Sequence, residues 1–330
     1  MIKSLLVLGA LLATPFVLGT AVGPGDPRGD ELLRFADPAI VESSGLVVDA
    51  GRYITTNDSG DTGRIFTVDG SGRTVGVTRW SEEPEDVEAL APADPGHVWV
   101  GDIGDNGRSR DSVDVTRVPV GSGDRTATSP AYRMVYPGGP RDAEALLTDP
   151  TNGRLYVASK VVFGGQLFEA PAELDPSADN RLVPLGSVDG LVTDGAFFAD
   201  GRHLVLRTYT HAVVYSFPGL EEVGELDLPP QQQGEGLAVV GADTLVLSSE
   251  GVRSPLLSVS LPPEVIDAMG PAPPASTASP AAPESASPSA LPTPTDADAA
   301  AGGRSPWPWL AGFAVMIALV ITLLRALRPH

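Results

Sequence analysis

One phrase recurs along this chain, and its recurrence limits the folds open to it. Arg141-Asp142-Ala143-Glu144-Ala145-Leu146-Leu147 returns almost letter for letter as Glu85-Asp86-Val87-Glu88-Ala89-Leu90-Ala91. Looser copies stand at 233–239, 192–198 and 42–47. Each couples an acidic or polar residue to a small residue and then an apolar run. Short alternating or β-branched runs follow every copy, closed by Gly, Pro, Asn or Asp, with no amphipathic helical period between them. Five such units begin at 45, 89, 145, 196 and 237. A period of roughly 40 to 55 residues with four strands per unit is the spacing of propeller blades.

The expected fold is therefore an all-β propeller of five four-stranded blades over residues 30–265. The fifth unit lacks a fourth strand before proline accumulates at Pro262, and an orphan strand at 31–35 supplies it. Closing the ring with that N-terminal strand removes an exposed edge. Six blades is the alternative, if a divergent unit hides in the long second repeat. Thirty-seven glycines and 32 prolines suit the many turns such a ring needs. The complete lack of cysteine excludes a disulfide framework or a thiolate metal site. A formal charge of -20 argues against a nucleic-acid partner, which would demand a basic surface.

The two ends point to the cell membrane. Residues 1–21 carry a short positive start, an apolar stretch and small residues at Gly19 and Ala21, the pattern of a signal peptide. Residues 266–306 are almost wholly Pro, Ala, Ser, Thr and Asp, a composition expected to form a disordered stalk. Residues 307–325 are apolar enough to span a bilayer, with Trp307 and Trp309 at one interface. Arg328 follows in a short tail, 326–330, on the expected cytoplasmic side. The expectation is a single-pass protein with an extracellular N-terminal domain.

Strand direction places the start of each blade's first strand and the end of its second on one rim. The repeated acids Glu88, Glu144, Asp194 and Glu235 precede first strands, with Ser44 in the equivalent place. Asp102 and Asn57 stand at the ends of second strands. Crowded carboxylates repel, so a cation, basic partners or backbone donors must offset them. Oxygen-only donors favour calcium or magnesium over zinc, with Glu88, Glu144, Asp194, Glu235, Asp102 and Asn57 as the candidate ligands. The competing reading has each acid bonding backbone amides of the next blade, repeating because blades repeat. Lys160, the one lysine besides Lys3, falls on the same rim, as a partner for an acid or a binder of phosphate or substrate. His211, beside Tyr209, is a candidate general base. Glycine-framed serine, phosphate-loop and zinc-protease signatures are missing.

The run Glu235-Gly236-Leu237-Ala238-Val239, followed by Thr244-Leu245-Val246-Leu247-Ser248-Ser249-Glu250, resembles the blade pattern of phytase-like and SdiA-regulated-type β-propellers. Thr193-Asp194-Gly195-Ala196-Phe197-Phe198-Ala199-Asp200-Gly201 is similar to a blade of the SMP30/gluconolactonase propellers. The resemblance spans roughly 42–262. It implies that an acid before the first strand contributes to a channel metal, usually calcium, serving phosphoester or lactone hydrolysis. Phytases surround phosphate with several basic residues, whereas this rim offers mainly Lys160, Arg207 and Arg253. Two functions stay open from the sequence. One is a surface module binding a ligand or protein through its acidic rim. The other is a calcium-dependent hydrolase at the channel mouth.

Overall fold

The structure is a computed structural model describing residues 29–58, 60–80 and 83–271. The expected signal peptide, membrane span and tail lie outside the described residues, as does the expected stalk beyond 271. Among the described residues, no helix is long and apolar enough to cross a membrane.

The chain opens with β1 (Asp30–Arg34). Blade 1 follows as β2 (Ser43–Asp49), β3 (Arg52–Asn57), β4 (Arg64–Val68) and β5 (Thr74–Trp80). Blade 2 contains β6 (Val87–Pro92), β7 (His97–Asp102) and β8 (Val113–Pro119). It is completed, after a short β9 (Arg125–Ala127), by β10 (Ala131–Val135). Blade 3 contains β11 (Ala143–Thr148), β12 (Leu155–Ser159) and β13 (Gly165–Glu169). It ends, after the two-residue β14 (Asn180–Arg181), with β15 (Val183–Val188). Blade 4 is β16 (Asp194–Phe197), β17 (His203–Arg207), β18 (His211–Ser216) and β19 (Glu222–Asp227). Blade 5 is β20 (Gly234–Val240), β21 (Thr244–Ser249) and β22 (Pro255–Ser260), with β1 antiparallel to β22 as its outer strand.

The described residues thus form five blades, and the N-terminal strand closes the ring as the missing fourth strand required. The innermost strands β2, β6, β11, β16 and β20 neighbour one another in a closed circle, β20 returning to β2. The long second repeat holds no sixth blade. Its extra residues form β9, which crosses back and pairs parallel with β5 at the outer edge of blade 1. The third repeat sends β14 back to β10 of blade 2 in the same way. Both additions cover edges that would otherwise present unpaired backbone groups.

Every blade is sandwiched between two others, so alternate residues of a strand face different neighbours and both sets are apolar. In β12, Leu155 and Val157 enter the core shared with blade 2, while Tyr156 and Ala158 enter the one shared with blade 4. In β21, Leu245 and Leu247 face blade 4 and Val246 faces blade 1. Leu33 and Phe35, beside the closing strand, fill the interface between blades 5 and 1.

A helix, α1 (Pro263–Met269), follows β22 and packs on β19. It runs across residue 265, where composition alone placed the end of the folded region. Proline in its first turn suits a helix start, where backbone N–H groups have no intrahelical partner. Val265 is its anchor. It is buried, and a Cβ added at Gly224 of β19 would come within 2.8 Å of its Cγ2. The described chain ends at Pro271, whose carbonyl accepts a 3.1 Å bond from Arg202 Nη2.

Candidate functional site

The antiparallel register fixes the rim. Ser43 opposes Asn57, Val87 opposes Asp102, Ala143 opposes Ser159, Asp194 opposes Arg207 and Gly234 opposes Ser249. Starts of inner strands and ends of second strands therefore share one face. In four blades the register slips at this point, between Ser43 and Leu46, Val87 and Ala89, Ala143 and Ala145, and Gly234 and Leu237. A bulge re-aims the extra side chain, and the residues within these slips include Ser44, Glu88, Glu144 and Glu235. Blade 4 keeps a regular register through Asp194.

The bulged glutamates converge on the channel axis. Glu88, Glu144 and Glu235 belong to blades 2, 3 and 5, yet Glu88 feels the charges of both others and Glu144 that of Glu235. All three are buried. Burial, reinforced by Glu144 and other acids, pushes the Glu88 carboxyl far above its ordinary range. Burial raises Glu235 to about 7, against the pull of Lys160 and Arg207. Ser44 Oγ donates to Glu88 Oε2 at 3.2 Å. The Oε2 atoms of Glu144 and Glu235 are buried without a hydrogen-bond partner.

Lys160 reaches in from the end of β12 and pairs with Glu144. Its Nζ also donates to Tyr209 Oη at 2.9 Å. Burial favours loss of the Lys160 proton, but Glu144 outweighs it and holds the ammonium charged. Glu144 is itself driven upward by burial, opposed by Lys160 and aided by Glu235. One side of the mouth is thus a charged pair with a surplus carboxylate beside it.

The other side gathers three carboxylates. One ligand oxygen each from Asp58, Asp86 and Glu88 lies within 4.8 Å of the others. Asp86 is raised to about 6 by burial first and then by Asp58, Asp142 and Asp102, with Arg110 opposing. Gly104 backs this trio. A Cβ there would sit 2.3 Å from Asp86 Oδ2 and 2.8 Å from Glu88 Cγ. The acids therefore occupy the space that any larger residue would take. Oxygen donors gathered this closely fit a hard divalent cation, calcium before zinc.

Several residues singled out from sequence have their oxygens engaged by the protein. Asp194 accepts Gly195 N at 2.8 Å and, across the interface to blade 5, Leu237 N at 2.6 Å. Burial raises its carboxyl well above the usual range despite those bonds and the nearby Arg207. Asn57 Oδ1 accepts Val41 N and Glu42 N, and its Nδ2 donates to Ala39 O and Asp61 Oδ2. Asp102 accepts Glu85 N and Asp86 N at 2.9 Å and Arg110 Nη1 at 2.7 Å. These two residues staple the approach to the inner strand of their own blades. His211 has both ring nitrogens engaged, Nε2 with Asp189 Oδ2 at 3.0 Å and Nδ1 with Thr208 Oγ1 at 3.1 Å. Of the six sequence-derived ligand candidates, Glu88 joins the close trio, while Glu144 and Glu235 flank it. Asp58 and Asp86, the other two members of the trio, stand outside that set.

Arg207 lies fully buried beneath the mouth. Its Nη1 donates to Gly236 O at 2.9 Å and Ser248 O at 3.2 Å, and its Nη2 to Gln231 Oε1 at 3.1 Å. Burial lowers its guanidinium to about 10, with Glu235 and Asp194 holding it up. It supplies fixed positive charge under Glu235 and has no open face for a ligand.

No protein-family model matches the chain, and no curated protein matches it. Among solved structures it is similar to a gluconolactonase from Xanthomonas campestris. The two are 19% identical over 67% of this chain and 72% of that one, with a TM-score of 0.41.

Proposed function

We propose that the channel mouth binds a divalent cation, calcium foremost, and that the loaded mouth captures an oxygen-rich ligand at the cell surface. The carrying observation is the trio Asp58, Asp86 and Glu88, with ligand oxygens within 4.8 Å of one another. The partnerless Oε2 atoms of Glu144 and Glu235 beside it add support. Buried acidic oxygens without donors are costly, and a cation offsets that cost. The sequence at 1–21 and 307–325 supports placing the domain outside a membrane. The bond from Arg202, in the turn between β16 and β17, holds Pro271 on the face opposite the mouth.

The ring closes within residues 29–271, and each of its five interfaces is filled by its own residues. That fragment is therefore the unit to test. Calcium at a hundredfold excess over its Kd should stabilise it by about 2.7 kcal/mol. The midpoint of thermal unfolding should rise by about 5–10 °C for a domain of this size. Chelator should abolish the rise, and the double variant Asp86→Asn, Glu88→Gln should lack it. An equal rise in that variant would overturn the assignment.

A second reading is a cation-dependent hydrolase, and the Lys160–Tyr209 contact beside Glu144 favours it. When bound, the cation would polarise a carbonyl or phosphoryl oxygen and acidify a bound water. Lys160 would orient an anionic or carbonyl group of the substrate. Glu235, raised to about 7, would hold or release a proton near neutral pH. Turnover of a phosphoester or lactone that disappears in Lys160→Met, with calcium binding intact, would establish this reading. No turnover across such a panel would remove it and leave the binding role.

A further inference from the structure

The channel end opposite the acidic mouth opens into a cavity of about 570 Å³, walled by the far ends of the inner strands. It shares no residue with the cation trio or the flanking glutamates. The inner strands differ in the bulk they bring to this level of the wall. Two residues after the acidic position, four blades carry leucine: Leu46, Leu90, Leu146 and Leu237. Blade 4 carries Ala196 instead, after a glycine that has no room for a Cβ. Ala196, Leu46, Leu90 and Leu237 all line the cavity, although Ala196, in unslipped register, turns toward the next blade whereas each leucine turns toward the preceding one.

The wall states the ligand's chemistry. Trp99, Phe197, Val48 and Val239 give it an aromatic and aliphatic surface. Trp99 is steadied from outside by an edge contact with Tyr132, ring centres 5.6 Å apart. Three charged side chains reach the cavity, Asp94, Arg117 and Asp149, and each has polar atoms engaged by the protein. Arg117 Nε donates to Asp94 Oδ1 at 2.5 Å. Asp149 accepts Thr151 N, Thr151 Oγ1 and Asn152 Nδ2 within its own turn. Thr148 Oγ1 is spent on Pro92 O at 2.7 Å. The wall therefore asks for apolar contact, and with two carboxylates to one guanidinium it offers an anion nothing. Its size lies within the ~300–1,000 Å³ range of small-molecule sites. We propose that this cavity is a second binding site, for a neutral, largely apolar small molecule.

The test uses the neutral dye Nile red with residues 29–271. Saturable one-to-one binding with a blue-shifted emission is expected, unchanged by calcium, by chelator or by Asp86→Asn. Ala196→Leu, which adds bulk to the wall, and Trp99→Ala should each weaken it by about tenfold or more. Val239→Trp fills the same space from blade 5 and serves if Ala196→Leu does not fold, as judged by circular dichroism. The exposed Phe163 on the mouth rim, 93% accessible, is the competing apolar surface, and Phe163→Ser should leave binding unchanged. Loss of binding in Phe163→Ser, or full binding in both filled variants, would overturn the site. Tighter binding of the anionic dye 1-anilinonaphthalene-8-sulfonate than of Nile red would overturn the ligand class.

Discussion

A methyl group at Gly104 would fall 2.3 Å from Asp86 Oδ2, the far end of a side chain that is able to rotate away. The backbone at Gly104 is not in the left-handed region, so only space demands glycine there. Gly104→Ala should therefore disturb the trio more than the fold. We expect calcium affinity to fall about tenfold by titration calorimetry, with stability in chelator changed by less than about 1 kcal/mol in urea unfolding. The glutamates that flank this point were legible in the sequence because they repeat. Asp58 was not. It is the first residue beyond a second strand, and its counterparts are Ile103, Lys160, Thr208 and Glu250, which share no chemistry. A site built where a repeat breaks its own pattern leaves no periodic trace.

At the scale of strands, the same acidic position does two jobs, and the bulge separates them. Glu88, Glu144 and Glu235 stand in slipped register, whereas Asp194 stays in register and spends both oxygens on backbone N–H groups. Asp194→Ala would leave Leu237 N unsatisfied at a buried interface and remove a neighbour of the buried Arg207. It should cost about 2–4 kcal/mol in urea unfolding, with the calcium Kd of the folded protein unchanged. Bulges depend on backbone spacing rather than residue type, which explains why sequence grouped Asp194 with the glutamates. Ring closure was legible, because a three-strand unit at one end and a spare strand at the other complete each other. The edge strands β9 and β14 were not, being two or three residues long and paired backwards to the preceding blade. Closure also predicts where the ring is weakest. Phe35 is fully buried between blades 5 and 1, just after the closing strand. Phe35→Ala should cost about 3–5 kcal/mol and expose the last blade first to hydrogen exchange.

For the whole molecule, the buried mouth makes stability depend on pH in a direction unusual for an acidic protein. Glu235 has its ordinary value of 4.5 when unfolded and about 7 when folded, because burial disfavours its charge. Between those values the folded chain keeps a proton that the unfolded chain has released, so stability falls as pH rises. The contribution is complete below 4.5 and gone above 7, worth roughly 3 kcal/mol without a cation. Glu88 and Glu144 are displaced in the same direction. The acids displaced downward, Asp69, Asp94, Asp175 and Asp200, titrate below 3.8 and lie outside this window. In chelator, the thermal midpoint should therefore be lower at pH 7.5 than at pH 5. Glu235→Gln should flatten that difference by raising the value at pH 7.5. Calcium should act oppositely, stabilising the wild type more at pH 7.5 than at pH 5, because Asp86 and Glu235 have then given up the protons that compete with it. A chelated midpoint that climbs from pH 5 to 7.5 would mean that these carboxylates are solvated rather than buried. The premise that an unloaded mouth is strained would then fail with it.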